Sequence, residues 1–289
     1  PNTSSAASDV YKRQASELAA SELLADLVAT RHDTDHVMLV VTGASDAALE
    51  AAFEAEFNAI QREKWLTSQD SMRYALLDTI QADARSVGRL ADHVSPYERN
   101  VVVSVAGRSA RSMWAALQTE LQMNDSSDFV LFAHPELAEM PFVEGNLMEK
   151  WRLTLPLTNQ IQWQDSMLWD ALEDFRLRMA TEPQKYAVLA HDALLDAGLR
   201  RHPWLRVKPW AEPMVWEASE ASGAWTNVSW SLKRFEDLQW MPLDSCGPVP
   251  PFVPRMFYTE GDTLIPVPEK YQHLFPEEYP DALAPNKHP

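Results

Sequence analysis

The chain has 289 residues, a formal net charge of −17 and a hydrophobic fraction of 46%, enough for a sizeable core in one large or two small domains. The strong negative charge argues against binding to nucleic acid or to an anionic membrane surface, because phosphate groups would be repelled. The single cysteine, Cys246, excludes an intrachain disulfide and a thiolate metal cluster, and the absence of a run of about 18 apolar residues predicts no transmembrane helix.

The first residues, "PNTSSAASDVYKRQ", are polar and do not begin with methionine. Their "SDVYKRQ" end resembles the translated read-through of sequencing adaptors. We therefore predict that residues 1–14 are a non-native or disordered segment, and we exclude them from reasoning about the fold. On this interpretation the chain is an N-terminally truncated fragment, and its first part with any signal peptide is missing.

Residues 15–160 alternate short apolar runs with amphipathic segments. The predicted strands are "HVMLVV", "MRYALL", "NVVVSV", "DFVLFA" and "WRLTLP", at residues 36–41, 72–77, 100–105, 128–133 and 151–156. The predicted helices include residues 15–30, 82–94 and 109–121, with a further helix that carries Leu49, Phe53, Phe57 and Ile60 on one face. This alternation predicts an α/β lobe with a doubly wound parallel sheet and helices on both faces.

The pattern changes after residue 160. Two consecutive helices are predicted at 164–181 and 184–201, separated by Pro183, and residues 225–244 are predicted to form a hairpin or two strands. Residues 161–242 are therefore predicted to form a unit of returning helices and a strand pair. Residues 243–289 are rich in proline and acidic side chains, which indicates a surface extension with aromatic contacts or a partly disordered segment.

Two strand-to-helix turns, "TGASD" (42–46) and "VAGRSAR" (105–111), lie where α/β proteins bind small anions. The candidate ligand-binding residues in these turns are Gly43, Ser45, Arg108 and Ser109. Arg108, Ser109 and backbone N–H groups could face a carboxylate. The structural alternative is that the glycines only form the turns and that Arg108 is solvated.

No catalytic motif is present. The chain contains no Walker loop, no HExxH pair and no GxSxG elbow, so we predict no catalytic residue, no metal site and no cofactor. The segment "HDTDH" (32–36) could be a metal-binding loop, but its position favours a role just before the first buried strand. An enzyme remains the third and least favoured class.

His191 and Asp192 are neighbours in a predicted helix. Adjacent helical side chains point about 100° apart, so we predict that the two do not face each other and do not form an acid–base pair. Asp192 shares a helix face with Val188 and Leu195 and is predicted to be buried. A buried aspartate requires a partner, which predicts a structural hydrogen bond.

The stretch "FRLRMATEPQKYAVLAHDALLDA" (175–197) resembles the F-x(n)-P-x-x-Y-A-x-x-x-Y-D-A segment of type I periplasmic binding proteins, which include the leucine/isoleucine/valine-binding group. The matching residues are Phe175, Pro183, Tyr186, Ala187, Asp192 and Ala193. His191 stands where the family usually has tyrosine. The resemblance extends over about residues 35–242. It lies mainly in the order of the strands and helices and is weaker at individual positions.

The resemblance implies two α/β lobes with a ligand cleft at the hinge and no catalytic residues. Residues 15–160 would be the second lobe, residues 161–242 would belong to the partial other lobe, and Tyr186, His191 and Asp192 would be hinge or packing residues. The implied function is extracytoplasmic binding of a small polar ligand such as an amino acid, as in ABC transport. The alternative is a ligand-free scaffold of the same fold that contacts an envelope protein, which eleven tryptophans and an aromatic acidic tail would suit.

Overall fold

A computed structural model of the chain describes residues 11–43, 45–67, 77–82, 90–107, 110–124, 126–158, 160–163, 165–202, 204, 207–218, 225–257 and 264–280. The strands in these residues are β1 (Tyr11–Ala15), β2 (His36–Val41), β3 (Leu77–Gln81), β4 (Asn100–Ser104), β5 (Phe129–Ala133), β6 (Thr154–Leu157), β7 (Trp216–Ala218), β8 (Trp225–Asn227), β9 (Ser231–Glu236) and β10 (Gln239–Pro242). The α-helices are α1 (Glu17–Arg31), α2 (Ala47–Thr67), α3 (Leu90–His93), α4 (Arg111–Met123), α5 (Gly145–Lys150), α6 (Trp169–Met179) and α7 (Lys185–Arg201).

The main sheet has seven strands in the order β10-β9-β6-β5-β4-β2-β3. The strands from β3 to β6 run parallel, whereas β9 pairs antiparallel with β6, and β10 pairs antiparallel with β9. The predicted hairpin is therefore formed by β9 and β10, and it extends the edge of the main sheet although the sequence assigned it to the unit at 161–242. The chain order places β2 inside the sheet with β3 and β4 on its two sides.

Helices cover both faces of the sheet, which confirms the predicted doubly wound architecture. Successive strand side chains point to opposite faces, so Val37, Leu39 and Val41 of β2 pack in a core with α1 and α2. Met38 and Val40 of the same strand pack in a second core with α4. Because the central strands are buried on both faces, they appear in the sequence as continuous apolar runs.

The third strand was predicted with the wrong bounds. We predicted it at residues 72–77, whereas β3 covers Leu77–Gln81, and residues 72–76 lie outside the described part of the chain. At the edge of the sheet only Ile80 of this strand is buried, so the apolar signal is weak. Of the helix predicted at 82–94, the described residues show the four-residue α3.

A second unit is built from α6, α7 and the segment around Trp210. Its small core contains Leu168, Leu172, Val188, Trp210 and Ala211. A separate three-stranded sheet has the order β1-β8-β7. Strand β1 lies partly within residues 1–14, which were excluded from the predicted fold, and it pairs parallel with β8. Within the described residues, no helix combines the length and the apolarity needed to cross a membrane.

The C-terminal extension packs beside the loop that precedes β4. Tyr97 in that loop is buried in a cluster with Val267, Tyr271 and Phe275 of the extension. The Tyr97 ring lies 4.9 Å from the Tyr271 ring and 6.1 Å from the Phe275 ring. Aromatic contacts of this kind anchor the described part of the extension near the amino ends of the parallel strands.

Burial raises the pKa of the Tyr97 phenol above its usual value of about 10, and the nearby phenols of Tyr279 and Tyr271 raise it further. Because this pKa is higher in the folded than in the unfolded state, the neutral phenol stabilises the folded protein at pH values below the pKa of the unfolded state. This contribution is lost as the pH rises through the pKa of the folded state. We therefore expect one tyrosine to ionise late in a phenolate absorbance titration. Tyr97→Phe should remove that late step. Retention of the late step in Tyr97→Phe would contradict this assignment.

Candidate functional site

Two predicted turns meet at the place where the strand order reverses. Strand β2 is followed along the chain by β3 on one side of it, whereas β4 lies on its other side. In doubly wound sheets, ligands bind outside the carboxyl ends of the strands at such a switch point. The turn at residues 42–46 follows β2, and Gly107 follows β4, so both predicted turns reach this position. Gly43 has a φ of 91°, a left-handed conformation that favours glycine.

Two buried carboxylates, Asp46 and Glu50, hold this turn. The Gly107 N–H donates to Asp46 Oδ1 at 3.2 Å, and the Ser45 hydroxyl donates to Asp46 Oδ2 at 2.8 Å. The Thr42 N–H donates to Glu50 Oε1 at 2.6 Å. Both acidic residues were missed from the sequence, because nothing in the spacing alone marks them as buried. Ser45 therefore has a structural contact in the turn, and Asp46 ties the β2 and β4 turns together.

Arg108 and Ser109 lie outside the described residues. Gly107, directly before them, contacts the segment that follows β5. A Cβ atom on Gly107 would lie 3.4 Å from Glu136 Oε2 and 3.5 Å from His134 Cε1. The β4 turn and the β5 turn are thus in contact at the carboxyl edge of the sheet.

A cavity of about 450 Å³ opens at this same edge. One wall comes from the 3₁₀ turn Pro135–Glu139 after β5 and from Leu157, Thr158, Gln160 and Ile161 at the end of β6 and beyond it. The opposite wall comes from the start of α7, and Glu17 and Trp230 complete the lining. The volume falls in the range of roughly 300–1,000 Å³ that is common for small-molecule sites. Gly43 and Ser45 do not line this cavity, although their turn is joined to it through Gly107.

The cavity combines acidic and aromatic side chains. Its carboxylates are those of Glu17, Glu136 and Glu139, and its aromatic rings are those of Trp163, Tyr186 and Trp230. His134 is also in the lining and is buried. Such a surface can bind polar groups through carboxylates and stack flat or cationic groups against the rings.

Tyr186 has a different environment from the one predicted. It was predicted as a hinge or packing residue, yet it is 78% exposed and lines the cavity. Tyr186 lies in the first turn of α7, and the helix enters the core only at Val188, which explains why the ring stays outside.

The predicted separation of His191 and Asp192 is wrong. His191 Nδ1 lies 2.7 Å from Asp192 Oδ1, because side-chain rotation overcomes the 100° between their Cβ directions. Asp192 is 5% exposed and also accepts the backbone N–H groups of Trp210 at 2.9 Å and Ala211 at 2.8 Å. The His191 ring stacks on Trp210 with centroids 4.1 Å apart. Neither residue lines the cavity. Through the contacts above, the pair joins α7 to the segment around Trp210.

The other residues considered for chemistry have structural surroundings. His32 of the "HDTDH" segment contacts Asp35, with 2.7 Å between Nδ1 and Oδ2. Among the described residues, no group of three His, Cys, Asp or Glu side chains is arranged to hold a metal ion. Burial raises the pKa of the Cys246 thiol, and a hydrogen bond with Glu236 raises it further, so the thiol stays protonated at neutral pH.

No protein-family model matches the chain, and no curated protein matches it. Among solved structures, it is similar to a putative branched-chain amino acid ABC transporter protein from Rhodospirillum rubrum, with a TM-score of 0.53, 9% identity and coverage of 81% of this chain and 67% of that chain. It is also similar to an ABC transporter substrate-binding protein from Desulfitobacterium hafniense, with a TM-score of 0.52, 17% identity and coverage of 79% and 66%. A third similar structure is the C-domain of LpoA from Haemophilus influenzae, a regulator of PBP1A, with a TM-score of 0.45, 11% identity and coverage of 79% and 67%.

The first two similarities show that the chain has the α/β fold of ABC transporter substrate-binding proteins, which confirms the fold expected from the resemblance. The similarity to the LpoA domain, with its lower TM-score, supports no conclusion about this chain. The chain spans just under two thirds of the length of the Desulfitobacterium hafniense protein, at 66%.

Proposed function

We propose that the protein is a non-enzymatic solute-binding or sensor domain that takes a small polar ligand into the cavity at the carboxyl edge of the main sheet. The cavity itself is the observation that carries this proposal. It lies outside the carboxyl ends of β5 and β6, at the edge of the sheet where doubly wound folds bind ligands, and it has the size of a small-molecule site. The fold shared with ABC transporter substrate-binding proteins supports the same role, with an extracytoplasmic location and capture of a solute for transport.

The arrangement of the two units suits binding by closure. The main sheet contributes the turns after β5 and β6, and the second unit contributes the start of α7. Because different elements contribute the two walls, a rotation of one unit against the other would close the cavity around a ligand. Arg108 and Ser109, which follow Gly107, are proposed to contribute to the ligand site, whereas Gly43 and Ser45 are proposed to support it through Asp46, which binds the Gly107 N–H.

A steric block tests the position of the site whatever the identity of the ligand. Ala138 is exposed and lines the cavity, so Ala138→Trp should fill it without disturbing the core. A ligand present at 100 times its dissociation constant stabilises the folded state by about 2.7 kcal/mol, which corresponds to roughly 5–10 °C in Tm for a domain of this size. We expect an amino-acid and small-solute thermal-shift screen to give such an increase for the wild type and none for Ala138→Trp.

The matched control is Ala55→Trp, at an exposed position of α2 outside the cavity. It should keep the ligand-induced increase in Tm. If Ala138→Trp retained the full increase, the ligand would bind elsewhere, and the cavity would not be the site.

A scaffold of the same fold is the second candidate, and one observation favours it. The region around α6 exposes several large apolar side chains, namely Met167, Trp169, Leu177 and Met179. An exposed apolar patch on a protein surface often marks a contact site for another protein. If no solute raises the Tm, and an envelope protein cross-links to the wild type but not to a Trp169→Ala/Leu177→Ala variant, the scaffold role is favoured. Met123→Ala, at an exposed position on α4, is the control.

A further inference from the structure

We infer that a groove beside α6 docks a basic amphipathic helix of a partner protein. The groove has a volume of about 480 Å³, and its lining residues are Trp163, Trp169, Leu172, Glu173, Arg176 and Leu177. The inference adds an interaction surface to the proposed solute-binding function and does not rest on the solute cavity. Its basis is the exposed apolar side chains of α6 together with the charges that lie beside them.

One side of α6 exposes large apolar side chains. Trp169 and Leu177 are 58% and 78% exposed, and they lie eight residues apart, which is about 12 Å along the helix axis. Residues at this spacing lie on the same side of a helix, two turns apart. The core face of α6 is a different one, because Leu172 and Phe175 pack against α7 and Trp210. A helix that lies along the exposed side could therefore contact it over two turns, as in helix-in-groove recognition.

The walls of the groove are held in place by contacts within the chain. The Trp169 indole N–H donates to the carbonyl oxygen of Trp163 at 3.1 Å, and the Arg176 guanidinium lies 5.2 Å from the Trp163 ring centroid. Arg176 is itself held by an ion pair with Glu182 at 2.7 Å. Both tryptophan rings are thus oriented before a partner binds, which reduces the side-chain entropy that is lost on docking.

The charges on α6 favour a basic partner. Both arginines of the helix, Arg176 and Arg178, already form ion pairs with nearby carboxylates. Asp170 and Glu173 are exposed, and neither has an ion-pair partner among the described residues. Asp170 directly follows Trp169, and Glu173 lines the groove. Lysine or arginine side chains beside the apolar stripe of a partner helix would meet these carboxylates, whereas an acidic partner would be repelled.

The same charges disfavour a second copy of this chain as the occupant. Each copy has a net charge of −17. In a two-fold dimer the same surface patch meets itself, which would bring the carboxylates of Asp170 and Glu173 toward those of the other copy. Like charges that face each other across an interface cost affinity. A cationic helix covers the exposed apolar side chains without this repulsion.

Three designed peptides of about 18 residues test this inference. The first has leucines at the i, i+3, i+4 and i+7 positions and lysines elsewhere, the second has glutamates in place of the lysines, and the third is a scrambled form of the first without the leucine stripe. Each is labelled with fluorescein and titrated with the 289-residue chain, with fluorescence anisotropy as the measurement. We expect saturable one-to-one binding of the lysine peptide and at least roughly tenfold weaker binding of the other two.

Truncation of the exposed apolar side chains locates the bound peptide. Trp169→Ala/Leu177→Ala should weaken binding of the lysine peptide by roughly tenfold or more. The matched control is Trp65→Ala/Leu66→Ala, which truncates a similarly exposed pair on α2 and should leave binding unchanged. Trp163 is kept in all variants, because its ring also lines the solute cavity.

Neutralisation of the two carboxylates tests the charge of the partner. Asp170→Asn/Glu173→Gln should weaken binding of the lysine peptide by about 2- to 20-fold and reduce its dependence on salt. Glu22→Gln/Asp26→Asn makes the same change in net charge at exposed positions of α1, so this variant should bind the peptide like the wild type.

Absence of saturable binding by the lysine peptide would overturn the inference. Equal affinity for the scrambled peptide, or equal losses in the test and control variants, would also overturn it, because the net charge of −17 would then explain the binding. Dimerisation of the wild type in sedimentation velocity that is lost in Trp169→Ala/Leu177→Ala would assign the groove to a second copy instead. The proposed solute site is tested separately, because Ala138→Trp should abolish the solute-induced increase in Tm and leave peptide binding intact.

Discussion

Replacing Arg99 by alanine is expected to lower the free energy of unfolding by about 2–4 kcal/mol. The side chain is buried, and its Nε donates to Asp128 Oδ2 at 2.9 Å. Its Nη2 donates to the carbonyl oxygen of Pro250, which holds the start of the C-terminal extension against the loop before β4. The cost should be below that of a fully isolated buried pair, because Asp128 keeps an ion pair with Arg152 at 2.9 Å.

Denaturant unfolding measures this loss, and limited proteolysis reports on the extension. We expect cleavage after residue 250 to become faster in Arg99→Ala, because the Pro250 carbonyl loses its donor. The matched control is Arg31→Ala, whose partner Asp244 is 3.4 Å away with side chains 52% and 94% exposed. An exposed pair of this kind contributes little, so the control should change stability by less than about 0.5 kcal/mol. Equal effects of the two substitutions would show that the buried Arg99 contacts do not stabilise the packing of the C-terminal extension against the loop before β4.

Asp192→Ala is expected to destabilise the second unit by about 2–5 kcal/mol, because two buried N–H groups lose their acceptor. The carboxylate binds the backbone N–H groups of Trp210 and Ala211, and both residues are buried in the small core with Val188. Asp192→Asn keeps one acceptor oxygen in the same volume, so its effect should be intermediate.

Hydrogen exchange at the amides of Trp210 and Ala211 gives the most direct measurement. We expect both amides to exchange faster in Asp192→Ala, while amides of β4 in the main sheet change much less. The control is Asp26→Ala, an exposed position within α1 whose change should stay within about 0.5 kcal/mol. Unchanged protection at both amides would show that Asp192 is not the anchor of this segment.

The central fold could be predicted from local sequence because its strands are buried on both faces. A strand such as β4, "NVVVS", is fully buried and therefore needs apolar β-branched residues throughout, which gives a strong signal. Strand β3 is half exposed at the edge, so "LDTIQ" gives little signal and its predicted bounds were wrong. The pairing of β9 with β6 depends on contacts between residues about 80 positions apart, for example Leu155 with Lys233, and local periodicity contains no information on such pairing.

The candidate site shows the same difference between features that local sequence predicts and features that depend on distant contacts. The turns after β2 and β4 were recognisable from sequence, because a strand followed by glycine and a helix indicates the carboxyl edge of a doubly wound sheet. The cavity lining was not recognisable, because Glu17, Glu136 and Tyr186 come from three distant elements. The contact between His191 and Asp192 was also missed, since helix geometry gives the directions of the Cβ atoms but not the rotamers.

The sequence by itself therefore determined the α/β class and the central strands, since burial and turn geometry act through neighbouring residues. Only the tertiary structure decided which side chains meet there. Burial of Asp192 against Trp210, anchoring of the extension by Arg99 and convergence of acidic and aromatic side chains in one cavity all depend on packing between elements far apart in the chain.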